Sequence, residues 1–261
     1  MTADRRTTLL TELVRALCLE RGTEPPAATS ADDLWTVFRA LVNTRPPAPA
    51  DVERLAMQDE LLRSMIEEAG TATLADAQAS PHDDRLLLWR GDITTLAVDA
   101  VVNAANSQML GCWAPGHHCI DNAIHTFAGT QLRLECARLM RAQGHEEPTG
   151  TAKITSAYNL PSRHVIHTVG PIANGHPTDL HRRQLASCYT SCLDLAAAKG
   201  LRSIAFCGIS TGVFGFPQDE AAPIAVETVR TWLGAHETGI RVVFNVFSAD
   251  DERVYRGLLG L

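Results

Sequence analysis

The sequence predicts an α/β fold, a largely parallel or mixed sheet covered by helices on both faces, preceded by a helical N-terminal unit. Three observations predict it. Up to about residue 80 apolar residues recur only at helical spacing. From Leu86 onward short apolar runs alternate with longer helical patterns, and no segment approaches the roughly 20 uninterrupted apolar residues of a bilayer-spanning helix. A chain of 261 residues, 45% hydrophobic and 20% charged, can bury one large core with a smaller attached unit. The expected division is a helical extension over 1–80 and an α/β domain over 81–261.

Leu9, Leu10, Leu13, Val14 and Leu17 mark one face of a first helix, and Leu34, Val37, Phe38, Leu41 and Val42 that of a second. Ser30 and Asp33 resemble a capping box with Asp where Glu or Gln is usual. A third helix runs from Asp51, its N-cap, through Leu55, Leu62, Met65 and Ile66, and the proline-rich breaks EPPAAT and TRPPAPA separate the three. None carries a reactive constellation, so their expected role is a cap packed on the main domain. Strands are expected over LLLWR, AVDAVVN, AKITSA, HVIHTV, SIAFCGI and VVFNVF, with helices over Asp121–Met140, Asp179–Ala198 and Asp219–Leu233 between them. Ligands of such sheets bind at the carboxyl ends of the strands.

The net charge of −7 argues against a broad electrostatic footprint for nucleic acid, so any phosphate must be held locally. Glu12 and Arg15 interrupt the apolar run after Arg5 and Arg6, which makes a cytoplasmic location the expectation. Seven cysteines is an odd number, and Cys18, Cys136, Cys188, Cys192 and Cys207 lie in apolar stretches without framework spacing, as reduced thiols do.

Three loops following strands carry candidate chemistry. The first, LGCWAPGHHCIDNAIH, brings Cys112, His117 or His118, and Cys119 together ahead of Asp121. Thiolate and imidazole suit Zn²⁺, and three protein ligands, where a closed structural site takes four, leave a position open. The plainer alternative is packed or reduced surface groups. The second, GISTGVFGFPQDE, has Gly208, Gly212 and Gly215, which let the backbone approach a ligand, and N–H groups at a helix start that form an anion cradle. Taken alone it is a glycine-rich connection. In the third, Asp92 follows Gly91 directly after a strand; a carboxylate there can accept the amine of an adenine while the backbone at Ile93 reads the ring edge. By itself Asp92 reads as a turn residue or the N-cap of ITTL, and Asn103 and Asn106 of NAAN read equally as residues serving their own turn.

Taken in order, GDIT, VVNAAN, a loop ending in Asp followed by AIHTFAG, HVIHTVGP and STGVFGFP resemble the macrodomain, the ADP-ribose-binding fold, over about residues 85 to 261. The insertion from Cys112 to Cys119, and less diagnostically the N-terminal helices, are similar to the zinc-dependent branch that removes ADP-ribose from proteins. There the loop has the form Cys-x4-His-x-Cys, which selects His117 over His118. The resemblance implies a macrodomain-type three-layer α/β/α sandwich with a mixed central sheet, and Zn²⁺ on Cys112, His117 and Cys119. It implies ADP-ribose contacts from Asp92, Ile93, Asn106, Ile120, Asp121, Ser210, Thr211, Gly212, Val213 and Phe214, with Asp121 and Asn106 catalytic. Asp92 and Ile93 would recognise adenine, Ser210 to Phe214 the diphosphate, and Asn106 the distal ribose; Phe247 is a looser candidate beside the adenine.

The implied reaction is hydrolysis of mono-ADP-ribose from a protein, as an ester to an acidic side chain, releasing ADP-ribose. The implied partner is an ADP-ribosylated protein, a lipoylated carrier protein being one candidate; no nucleic acid or membrane partner is expected. Two thiolates cancel the charge of Zn²⁺, so the ion acidifies water less than on three histidines, and Asp121 is expected to share the work. The rival is a reader that binds ADP-ribose without cleaving it, with zinc only bracing the loop. An acid beside an open metal position is what a reader does not need.

Overall fold

Three N-terminal helices, α1 (Ala3–Glu20), α2 (Ala31–Asn43) and α3 (Val52–Ala69), precede the sheet in a computed structural model that describes residues 1–27 and 30–261. The last two residues of the EPPAAT break lie outside the described residues. Thr2, Ser30 and Asp51 cap the three helices, each side chain accepting the N–H three residues on, which satisfies an otherwise orphaned donor. At Ser30 the hydroxyl also donates to the Asp33 carboxylate at 2.7 Å. The acid, one methylene shorter than the Glu of a capping box, meets the hydroxyl. The apolar faces close on a core of Leu9, Leu13, Leu34, Phe38, Leu61 and Leu62, and Trp35 reaches Phe127 of the main domain with ring centroids 5.7 Å apart.

Two short strands, β1 (Ala72–Thr73) and β4 (Leu96–Ala97), pair in parallel on their own. Seven strands form the main sheet: β2 (Gln78–Ser80), β3 (Asp83–Arg90), β5 (Ala100–Ala105), β6 (Ala152–Ser156), β7 (His164–Val169), β8 (Ser203–Phe206) and β9 (Arg241–Val246). Their order is β2-β3-β9-β8-β5-β7-β6, with the inner five parallel and the two outer strands antiparallel to their neighbours. Alternate residues of the buried strands serve opposite faces. Val102, Ile166, Ile204 and Val242 face helices α6 (Asp179–Ala198), α7 (Gln218–Ala235) and α8 (Ala249–Leu259). Val101, Val165, Ala205 and Val243 face α4 (Ile120–Ala128) and α5 (Thr130–Gln143). The result is the expected three-layer α/β/α sandwich with a mixed sheet. No helix among the described residues is long and apolar enough to cross a membrane.

Several expectations change in detail. The single helix expected over Asp121–Met140 is two helices, because Gly129 adopts φ 98° and ψ 171°, a region essentially closed to other residues. A Cβ there would lie 2.6 Å from the side chains of Gln58 and Gln131. The strand over AVDAVVN begins only at Ala100, since Ala97 pairs with Thr73 and the Asp99 carboxylate accepts the Arg202 N–H at 2.7 Å. SIAFCGI leaves the sheet after Phe206. The main sheet starts at Gln78, so it reaches across the division expected at 80/81. Helix α8 was not among the expected elements.

Five parallel strands end on one edge of the sheet. In spatial order their last residues are Arg90, Val246, Phe206, Ala105 and Val169, so the loops that follow them emerge along one edge, where sheets of this kind hold their ligands.

Candidate active site

The crevice is built strand end by strand end. After β3, Gly91 packs under the Trp89 ring and donates its N–H to Val246 O, and exposed Asp92 caps a short 3₁₀ turn over Ile93–Thr95 by accepting the N–H and hydroxyl of Thr94 at 2.9 and 2.7 Å. The turn role of Asp92 and its place at the crevice coexist. After β9 stands Phe247, 79% exposed. After β8 comes the glycine-rich loop, where Ser210 holds φ 65° although it has a Cβ, and its buried hydroxyl has no partner among the described residues. Gly170, after β7, makes that position possible, because a Cβ there would lie 2.1 Å from Ser210 Oγ. The same two loops are tied by Phe214 O, which accepts the N–H groups of Ala173 and Asn174 at 2.8 and 3.0 Å. Positive φ at a residue with a Cβ and a buried hydroxyl without a partner are both costly, which marks this loop as a functional candidate. Thr211 and Phe214 are half-buried there, and Gly212 and Val213 are exposed.

After β5 the site becomes polar and buried. Asp121, in the first turn of α4, is 5% exposed. Asn103 donates one amide hydrogen to Asp121 Oδ1 at 2.8 Å and approaches His167 Nδ1 at 3.1 Å with the other, because β5 and β7 place the two residues opposite each other. His167 Nδ1 is therefore the acceptor, and its Nε2–H faces Thr155 Oγ at 3.0 Å. Asn106 donates to Gly111 O at 3.0 Å and lies 3.4 Å from Asp121 Oδ2, while its Oδ1 accepts the N–H groups of Gln108 and Met109. It serves its own turn and also touches the acid. Ile120, half-buried, opens the same helix.

Burial raises Asp121 to about 6, against the pull of the Asn103 bond and of the Arg133 charge. Burial also lowers His167 to about 3 and drives His125, with its neighbours His167 and Arg133, well below its ordinary range. His125 Nε2 lies 3.6 Å from Asp121 Oδ1, but with a neutral imidazole this is a dipolar contact rather than an ion pair. Arg133, lowered to about 10 chiefly by burial and still charged at neutral pH, stacks on Trp113 at 4.5 Å and donates to Val42 O and Arg45 O. The sequence offers Asn103 as a turn residue and gives His125, His167 and Arg133 no site role. His125 had a signal, the i+4 spacing from Asp121 on one helix face, and His167 had its facing position on a strand. Arg133 had none.

Cys112, His117 and Cys119 converge. Their ligand atoms all lie within 4.8 Å of one another, with Cys112 Sγ 3.5 Å from His117 Nδ1. Tetrahedral zinc at its usual bond lengths separates sulfur from nitrogen by about 3.6 Å, so the donor set fits the ion. Exposed His118 is not in the set, which agrees with the choice of His117. Burial pushes the Cys119 thiol up to about 11, with Cys112 and Asp121 adding to the effect, so binding a cation would release protons. Cys119 also caps α4, its Sγ accepting the Asn122 N–H at 3.4 Å, and this couples the loop to the helix that carries Asp121.

With this geometry in hand, comparison with known proteins gives consistent matches. The family model described as Macro domain matches residues 102–225. The chain is 51% identical over 258 residues to a protein-ADP-ribose hydrolase of Treponema medium, covering 98% of each. Among solved structures it is similar to the Oceanobacillus iheyensis macrodomain with ADP, at 40% identity over 70% of this chain and 94% of that one, TM-score 0.63. It is also similar to the Trypanosoma brucei macrodomain in complex with ADP-ribose, at 32% identity over 85% of this chain and 95% of that one, TM-score 0.66.

Proposed function

The chain belongs to the macro domain family, and from that premise we propose that it is a zinc-dependent hydrolase that removes mono-ADP-ribose from acidic side chains of modified proteins and releases ADP-ribose. The observation that carries this reading is the convergence of Cys112, His117 and Cys119 at the start of the helix whose first turn holds buried Asp121. The names of the similar proteins support it: one is called a protein-ADP-ribose hydrolase, and two solved relatives hold ADP or ADP-ribose.

In this reading the nucleotide lies along the strand ends. Asp92 accepts the adenine amine beside exposed Phe247, the Ser210 to Phe214 loop offers backbone N–H groups and the unmet Ser210 hydroxyl to the diphosphate, and the distal ribose reaches Asn106 and Asp121. Zinc on the three ligands would supply Lewis-acid polarisation at that end. Asp121, raised to about 6, is near the acidity at which a carboxylate both ionises at neutral pH and takes a proton readily. Asn103 fixes which oxygen remains free: Oδ1 is held at 2.8 Å, and Oδ2 is the looser one. A lipoylated carrier protein is one candidate for the modified partner.

The test is de-ADP-ribosylation of an ester-modified protein, run with metal analysis. The native protein should carry about one zinc and release the label, and chelation or Cys112→Ala should abolish release and zinc together. Full activity after verified zinc removal would refute the metal role. ADP-ribose binding with the label retained would make the protein a reader.

A further inference from the structure

The six-residue span from Trp113 to His118 around His117 has little interior of its own. Trp113, Ala114, Pro115, His117 and His118 are exposed, and Gly116 at φ 67° has no atom near where a Cβ would stand. A metal ligand on such a segment is positioned only if something outside holds the backbone. The hydrogen bonds that do so lead to α2. Asn43, 1% exposed, accepts the Gly116 N–H at 3.0 Å and donates to Thr126 Oγ at 3.0 Å. Arg39, one turn earlier on the same face of α2, reaches His117 O at 3.4 Å and Asn122 Oδ1 at 3.2 Å. Asn122 in turn donates to Ala114 O at 3.3 Å and, through its backbone, to Cys119 Sγ. Among the described residues, the backbone from Trp113 to His118 has one hydrogen bond of its own, the turn bond from His117 N–H to Ala114 O; its other anchors are α2 and the Asn122 that Arg39 holds.

We infer that the N-terminal helical unit is a working part of the metal site, in which Asn43 and Arg39 are positioning residues that hold His117 in register with Cys112 and Cys119. This rests on the zinc reading of that loop. Partners that orient metal ligands without touching the ion commonly contribute 10- to 100-fold in metal affinity. The segment thus has a preformed shape that the exposed sequence WAPGHH would not keep alone, and α2 supplies it from 70 to 80 residues away in sequence.

The experiment measures zinc affinity of the full chain by competition with a chromophoric chelator, without reference to turnover, together with amide exchange of the loop in zinc-free protein. Native protein should bind one zinc, and Arg39→Met and Asn43→Ala should each bind it about 10- to 100-fold more weakly and exchange the loop amides faster. Leu17→Ala, which empties part of the extension's core and has no part in these hydrogen bonds, should lower stability yet leave zinc affinity within about twofold. Unchanged affinity in Arg39→Met and Asn43→Ala, with zinc lost in Cys112→Ala, would overturn the inference and leave the metal site standing. Equal weakening by Leu17→Ala would reduce the effect to general stability and overturn it too. Absence of zinc from native protein would instead sink the metal reading itself. If Asn43→Ala does not fold, half-buried Arg39→Met carries the test.

Discussion

Asp121 shows how a single buried carboxylate is prepared. It has one firm donor, Asn103 at 2.8 Å, one long contact, Asn106 at 3.4 Å, and a neutral imidazole at 3.6 Å. Burial outweighs the donors and holds the group near 6. Asp121→Asn keeps the shape and removes the base, so turnover should fall by about 10²- to 10⁴-fold while zinc content stays at the native level; a rate near native with zinc bound would take the acid out of the mechanism. This residue, the convergence of Cys112, His117 and Cys119, and the order of the loops along the sheet edge were legible because each lies in a short pattern with local chemistry. Asn103 was ambiguous for a physical reason. Its amide finds Asp121 and His167 only once β5 and β7 are in register, and a sequence shows a residue's own turn before it shows a neighbour 64 positions away. Arg133 is hidden in the same way, since its partners Val42 O and Arg45 O are backbone atoms of another unit.

At the level of elements, strands were legible where both faces are buried and β-branched residues dominate, as in HVIHTV, which is β7 residue for residue. They were not legible where they are two or three residues long, as β1 and β2 are, because alternation needs more length to appear. The helix read as continuous from Asp121 to Met140 failed at Gly129. A glycine inside a helical pattern costs only about 1 kcal/mol, so periodicity runs through it unmarked. What makes the break is tertiary: Gln58 of α3 accepts the Thr130 N–H at 3.2 Å, capping α5 from the extension. The break also lets α4 point its first turn into the crevice while α5 lies along the sheet. Gly129→Ala should therefore destabilise the fold by about 2 kcal/mol or more, combining the closed backbone region with the clash against Gln58. Denaturant unfolding would check it; a loss under about 0.5 kcal/mol would mean that the backbone relaxes into a continuous helix.

For the whole molecule, the buried polar layer between the sheet and α4–α5 sets how stability responds to acid. His167 is fully buried, and its Nδ1 is committed as acceptor of the Asn103 amide, so the folded protein keeps it neutral down to about pH 3. The unfolded chain protonates the same residue at about pH 6.5. Because the folded value lies below the unfolded one, the unfolded state binds the extra proton throughout that interval. Stability is then retained above about pH 6.5 and lost as the pH falls, by up to about 1.4 kcal/mol per unit. Burial alone would raise the carboxyls of Asp99 and Glu147, but the hydrogen bonds and charges they receive win and hold both below the usual range, so their losses enter only below about pH 4. Asp121 and His125 are common to the native protein and to His167→Asn, which keeps an acceptor near Nδ1 but cannot titrate. With chelator present, so that metal release adds no pH dependence of its own, the native protein should lose about 2 kcal/mol more than His167→Asn between pH 7.5 and pH 5. Chemical unfolding at a series of pH values measures the difference directly. Two parallel curves would mean that His167 takes up its proton without leaving the fold, and that the layer around Asp121 is wetter than its burial indicates.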